Sequence, residues 1–147
     1  MKKMIVTLAI ALSTLSSFAG EVKVSSKVLD AFQTEFATAS DITWSEGSNF
    51  YKASFIFNGQ HVSAFYSTEG ELMGTSRYIS SLDLPIGLQA SLKKGYSNYW
   101  IADLFEVSNS EGTSYYITLE NADSKVVLKS ANGDNNWKVY QKKITKA

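Results

Sequence analysis

The chain holds one histidine, His61, and no cysteine. A lone imidazole needs acidic partners at a defined spacing to hold a metal, and the sequence provides no such spacing around it. Serine nucleophiles fare no better, because there is no Gly-x-Ser-x-Gly elbow and any triad base would have to be His61 itself. Two carboxylate pairs, Glu69/Glu71 and Asp103/Glu106, have the residue types of general acid–base chemistry. Glu69 and Glu71 flank Gly70 in a turn, where solvated charge is expected. Asp123, Asn132 and Asp134 lie in turns without the twelve-residue loop of a calcium site, and turn chemistry accounts for them. The reading is therefore of a chain that is not an enzyme and takes no cofactor and no metal.

What remains is contact chemistry. Asn58-Gly59 between two alternating apolar runs signals a two-residue hairpin, since both positions tolerate positive φ. That turn fixes a register. Tyr51, Ala53, Phe55, Val62, Ala64 and Tyr66 share one side, which should pack on helices. Lys52, Ser54, Ile56, His61, Ser63 and Phe65 share the other, which should face outward. By weaker analogy the second half offers Tyr116, Thr118, Lys138 and Tyr140 on its outer face. Tyrosines among small polar and charged groups have the composition of recognition surfaces. Lys52, Ile56, His61, Phe65, Tyr116 and Tyr140 are the candidate binding residues. Lys138, Lys142, Lys143 and Lys146 also suit an edge strand guarded against aggregation.

Positioning these residues requires two helices and their strands. Ser26 to Thr38 carries Val28, Leu29, Phe32 and Phe36 at helical spacing. Leu84 to Lys94 carries Ile86, Leu88 and Leu92, with Asp83 as its cap and Pro85 in its first turn. Each helix leads into strands. Tyr51 to Asn58 spans seven positions, and so does Tyr115 to the turn residue Ala122. The expected architecture is α+β, a tandem repeat of a helix packed on an antiparallel β-sheet, with repeats at 20–80 and 81–147. Trp44, Trp100 and Trp137 are expected as buried anchors.

Residues 1–19 read as a secretory signal peptide: Met1-Lys2-Lys3, an apolar run from Met4 to Leu15, and small residues ending at Ala19. Without Lys2 and Lys3, twelve basic residues face fourteen acidic ones, a net charge of −2 that disfavours nucleic acid as a partner. No transmembrane segment is expected beyond the leader. With no disulfide available in a periplasmic or secreted setting, stability must come from packing, for which the 13% aromatic content is suited.

The run Leu29-Asp-Ala-Phe, Phe36, Ile42-Thr-Trp44, Tyr51-Lys-Ala-Ser-Phe55 and Phe65-Tyr-Ser-Thr-Glu-Gly70-Glu-Leu resembles the PepSY-like secreted proteins of Bacteroidetes. Ile101-Ala-Asp-Leu-Phe-Glu-Val107 and Tyr115-Tyr-Ile-Thr-Leu119 resemble the matching part of a second repeat. The resemblance implies a fold like that of beta-lactamase-inhibitor protein, export, and binding of a protein or peptide, with inhibition as one form. It supplies no catalytic residues. A small-molecule or glycan carrier, with a pocket between helix and sheet, is the alternative.

Overall fold

The computed structural model describes residues 22–144; the expected signal peptide lies outside the described residues. The chain divides into two compact units, one ending at Ser76 and one beginning at Arg77.

In the first unit, helix α1 (Ser26–Glu35) precedes strands β1 (Ser40–Glu46), β2 (Phe50–Phe57), β3 (Gln60–Ser67) and β4 (Leu72–Tyr78), hydrogen-bonded in that order. The hairpin turn forms as the residue types require, with φ of 52° at Asn58 and 78° at Gly59. The expected register follows: Tyr51 pairs with Tyr66, Ala53 with Ala64, Phe55 with Val62, and on the other face Lys52 with Phe65 and Ile56 with His61. Val28 and Phe32 of α1 lie on Ala53, Phe55, Ala64 and Tyr66. Phe32 is the centre of this core. Its ring lies 5.0 Å from Phe55, 5.3 Å from Trp44 and 5.6 Å from Phe36, centroid to centroid. The Tyr66 hydroxyl donates to Glu35 Oε1 at 2.6 Å, and burial together with that bond pushes its pKa up.

The second unit takes in the end of β4, then helix α2 (Ile86–Gly95), β5 (Trp100–Asn109), β6 (Gly112–Glu120), β7 (Ser124–Ser130) and β8 (Lys138–Ile144). Its strands β5 to β8 also pair in chain order, all antiparallel. Here the expected helix start needs correction. Leu84 precedes Pro85 and is extended, with φ −74° and ψ 151°, because the proline ring disfavours helical backbone in the residue before it. Asp83 therefore caps nothing in α2. It closes a short 3-10 turn instead, its carboxylate accepting from Ser80 N at 2.9 Å while the Ser80 hydroxyl accepts from Leu82 N at 3.1 Å.

Leu88 sits with Leu84, Leu104, Ile117, Leu119, Val126 and Leu128 in an aliphatic core, and Leu92 packs against its edge. Fully burying a leucine is worth about 1.5–3 kcal/mol, and Leu88 is 0% exposed. Ile86, expected in the same stripe, is 77% exposed, since a residue two before Leu88 points away from the face that Leu88 and Leu92 share. Trp100 is likewise 57% exposed rather than an anchor. Trp137 behaves as expected: half-buried, its indole N–H donates to the Leu88 carbonyl at 3.1 Å. Among the described residues no helix is long and apolar enough to cross a membrane.

Candidate functional site

Paired residues share a face, so the registers sort each unit into a side under the helix and a side without one. On the helix-free side of the first unit, Lys52 stands over Phe65 with Nζ 5.8 Å from the ring centroid. Phe50 adds a second ring 6.1 Å from Phe65. Ser54 and Ser63 hydroxyls meet at 3.4 Å, and His61 is exposed beside half-buried Ile56.

One expectation fails here. Phe65 is 0% exposed, so it cannot act as a displayed anchor. A face without a helix can still be dry: Phe65 is buried with the Lys52 ammonium over its ring and the Phe50 ring beside it. That burial also depresses the Lys52 pKa.

The second unit holds a longer array. Phe105 pairs with Tyr116 across β5 and β6, and Tyr116 with Lys129 across β6 and β7. Tyr78, Phe105, Tyr116 and Tyr140 form a ladder of rings with centroid separations of 6.2, 5.4 and 5.5 Å. The middle step is stacked, with 16° between the planes, and the outer two are edge-on. Lys129 Nζ lies 5.4 Å from the Tyr116 centroid. Tyr116 is 5% exposed, covered by its neighbours, which corrects the expectation of an open side chain there. The ends of the ladder are open, Tyr78 at 68% and Tyr140 at 40%, and Trp100 stands on the same face by its pairing with Glu120. Burial raises the pKa of both Tyr116 and Tyr140.

The structure thus brings together Lys52 with Phe65, Ile56 with His61, and Tyr116 with Tyr140. Sequence reasoning missed Tyr78, Phe105 and Lys129. A signal for one of them lies in the turn between Asn109 and Gly112, where Asn109 Oδ1 accepts from Glu111 N at 2.9 Å and the β5–β6 register sets Phe105 opposite Tyr116.

The acid pairs do not converge on a site. Glu69 pairs with Lys27 at 3.2 Å, and Glu106 with Arg77 at 2.8 Å. Among the described residues no group of three or more His, Cys, Asp or Glu side chains could hold a metal. A cleft of about 570 Å³ runs beside α2, lined by Leu82, Gln89, Leu92, Tyr96, Tyr99 and Ile101 among others. The Gln89 amide is already committed to the Leu84 and Leu82 carbonyls, at 2.8 and 3.4 Å.

No protein-family model matches the chain, and no curated protein matches it. Solved structures do. A BLIP-like protein from Bacteroides fragilis is 19% identical with a TM-score of 0.69, over 87% of this chain and 91% of that one. A Bacteroides eggerthii protein provisionally assigned to the periplasm is 16% identical with a TM-score of 0.73, over 84% and 90%. A DUF2874 family protein from Bacteroides ovatus is 18% identical with a TM-score of 0.72, over 84% and 89%. At such identities the likeness speaks for the backbone alone, and the fold of this chain is BLIP-like.

Proposed function

We propose that the chain is an exported, non-catalytic binding protein of PepSY-like type, built from two copies of one helix-plus-sheet unit, that engages a protein or peptide through the helix-free face of its second unit. The ring ladder ending in exposed Tyr78 and Tyr140 carries this reading. Rigid aromatic side chains bury large area at small entropic cost, and such residues dominate binding energy at protein interfaces. Export is supported by the cationic and apolar pattern of residues 1–19 and by likeness to the protein from Bacteroides eggerthii.

Duplication is supported by matching local geometry. Phe36 and Tyr96 each end a helix by donating to the carbonyl four residues back, both at 2.8 Å. Three residues later Ala39 N and Tyr99 N bond back to Phe36 O and Tyr96 O, at 3.0 and 3.1 Å. A register shift then follows between Ser40 and Thr43 in β1, and between Ile101 and Asp103 in β5. Tyr51 and Tyr115 come next at equivalent stations, opposite Tyr66 and Ser130.

Affinity capture from the native envelope, read by mass spectrometry, tests the face. The Tyr78→Ser, Tyr140→Ser double variant should lose a partner that the wild type retains. Equal recovery by both would overturn the assignment of the ladder.

A carrier role is the second reading, favoured by the cleft beside α2. It predicts a thermal shift with aromatic or glycan ligands that Leu92→Trp, by filling the cleft, abolishes. A panel of such ligands that leaves the melting temperature unmoved rejects it.

A further inference from the structure

The last strand of the second unit joins three features that the ring ladder does not explain. It hydrogen-bonds to β7 on one side only, so among the described strands its outer row of N–H and C=O groups has no partner. All seven of its residues are exposed. Its register also sets Lys138 directly opposite Lys129 and Lys143 directly opposite Lys125. Like charges directly opposite are destabilising, and these two pairs fall on the same side as Tyr116 and Glu120. Of the four lysines, Lys125 has a carboxylate, Glu120 at 3.7 Å, and Lys129 has the Tyr116 ring. Lysine on an edge strand wards off unwanted strand pairing. That explains Lys138 and Lys143 but not Lys125 and Lys129, which sit on the inner strand where no guard is needed.

We propose that β8 accepts an extended acidic segment of a partner polypeptide as an added β-strand, its carboxylates answering the paired lysines. The proposal rests on the binding reading above for the existence of a protein partner and names that partner's chemistry. Backbone pairing supplies affinity, and the lysine rows select acidic over neutral or basic strands. The edge is held ready for it. Trp137 ties the start of β8 to the Leu88 carbonyl, Asn135 packs where Gly87 has no side chain, and Tyr140 leans edge-on against Tyr116. A preordered edge lowers the entropy lost on binding. By contrast β1, the end strand of the first unit, carries Asp41 and Glu46 and no lysine.

The test is fluorescence anisotropy with a labelled peptide of about eight residues alternating glutamate and valine, matched to the length of β8. The mature protein should bind it saturably, more weakly as salt rises, and at least ~10-fold more weakly in the Lys138→Glu, Lys143→Glu variant. The milder Lys138→Gln, Lys143→Gln variant serves if the first loses its near-ultraviolet dichroism. A peptide N-methylated at alternate residues should lose binding by ~10-fold or more, because its strand edge is blocked. Absence of binding to the wild type overturns the proposal, as does undiminished binding of the N-methylated peptide. So does polygalacturonate competing more tightly than the peptide, or self-association in sedimentation that the lysine variant abolishes. Tyr78→Ser separates this from the face reading. A captured partner that depends on Tyr78, with no peptide binding, leaves the ladder standing and removes the added strand. Peptide binding without any Tyr78-dependent partner does the reverse.

Discussion

The third and seventh residues of each helix face the strands: Val28 and Phe32 in α1, Leu88 and Leu92 in α2. In the first unit the seventh residue is a ring, and it meets three more rings at 5.0–5.6 Å. In the second it is a leucine, and the core beneath it is leucine, isoleucine and valine. Four rings of the second unit stand on the opposite side, as the ladder from Tyr78 to Tyr140, while Tyr96, Tyr99, Tyr115 and Trp137 border its aliphatic core. A helix packed on an antiparallel sheet can thus fill the centre of its core with rings or with aliphatic side chains. The cross-strand pairs Lys52–Phe65 in the first unit and Tyr116–Lys129 in the second each set an ammonium over a ring. The ammonium-over-ring contact is common to both units, and the ring array around it belongs to the second.

Substitutions can break this contrast. The largest effect is expected from Phe32→Ala, at about 3–5 kcal/mol of stability by denaturant titration, because a buried ring at the centre of a cluster leaves a cavity. A loss under about 1 kcal/mol would mean the first unit does not depend on its inward rings. Leu88→Ala should cost about 2–5 kcal/mol, showing that aliphatic packing serves the second unit equally well. Tyr66→Phe removes the hydroxyl bonded to Glu35 and should cost about 1 kcal/mol. Tyr78→Ser should stay within about 0.5 kcal/mol of wild type while weakening partner capture, since the ring is largely solvated. A large stability loss there would make the ladder a structural device.

Alkaline pH sharpens the comparison from another side. Tyr66, Tyr116 and Tyr140 have folded pKa values above the ordinary value of 10.0. The unfolded chain therefore releases these protons first, and stability present below pH 10 is lost as pH rises through the folded values. Lys52 acts with the opposite sign. Its folded pKa lies below 10.5, so the cost of burying its charge is relieved as pH climbs toward that value. Denaturant midpoints at pH 9 and 11, for wild type and Lys52→Met, should show a net alkaline loss that is larger in the variant.

How much of this was legible depended on the residue types in the turns. Asn58-Gly59 admits one hairpin geometry, so every pair from Tyr51–Tyr66 to Ile56–His61 followed from the residue types. The turn between Asn109 and Gly112 also holds two residues, but Ser110-Glu111 is not a recognised hairpin pair and neither residue has positive φ, so Phe105 went unread with it. Tyr78 reaches Phe105 from the far side of a helix in sequence, a contact no local pattern encodes. Burial of Phe65 and Tyr116 was hidden for a different reason. Alternation tells which side a residue faces, not whether a lysine stem or a second ring will cover it. Pro85 did carry a readable message about Leu84, and weighing it would have moved the helix start to Ile86.

The indole of Trp137 is bonded to a helix carbonyl while its backbone leads directly into the final strand. That makes it a natural optical gauge of fraying. When β8 peels away, Trp137 must leave the aliphatic core for water and its emission must shift to the red. Trp44, packed on Phe32 in the other unit, stays dark to that event. With the exposed Trp100 replaced by phenylalanine, the two remaining tryptophans have separate surroundings and report separately on loosening of the terminal strand and melting of the ring-filled core.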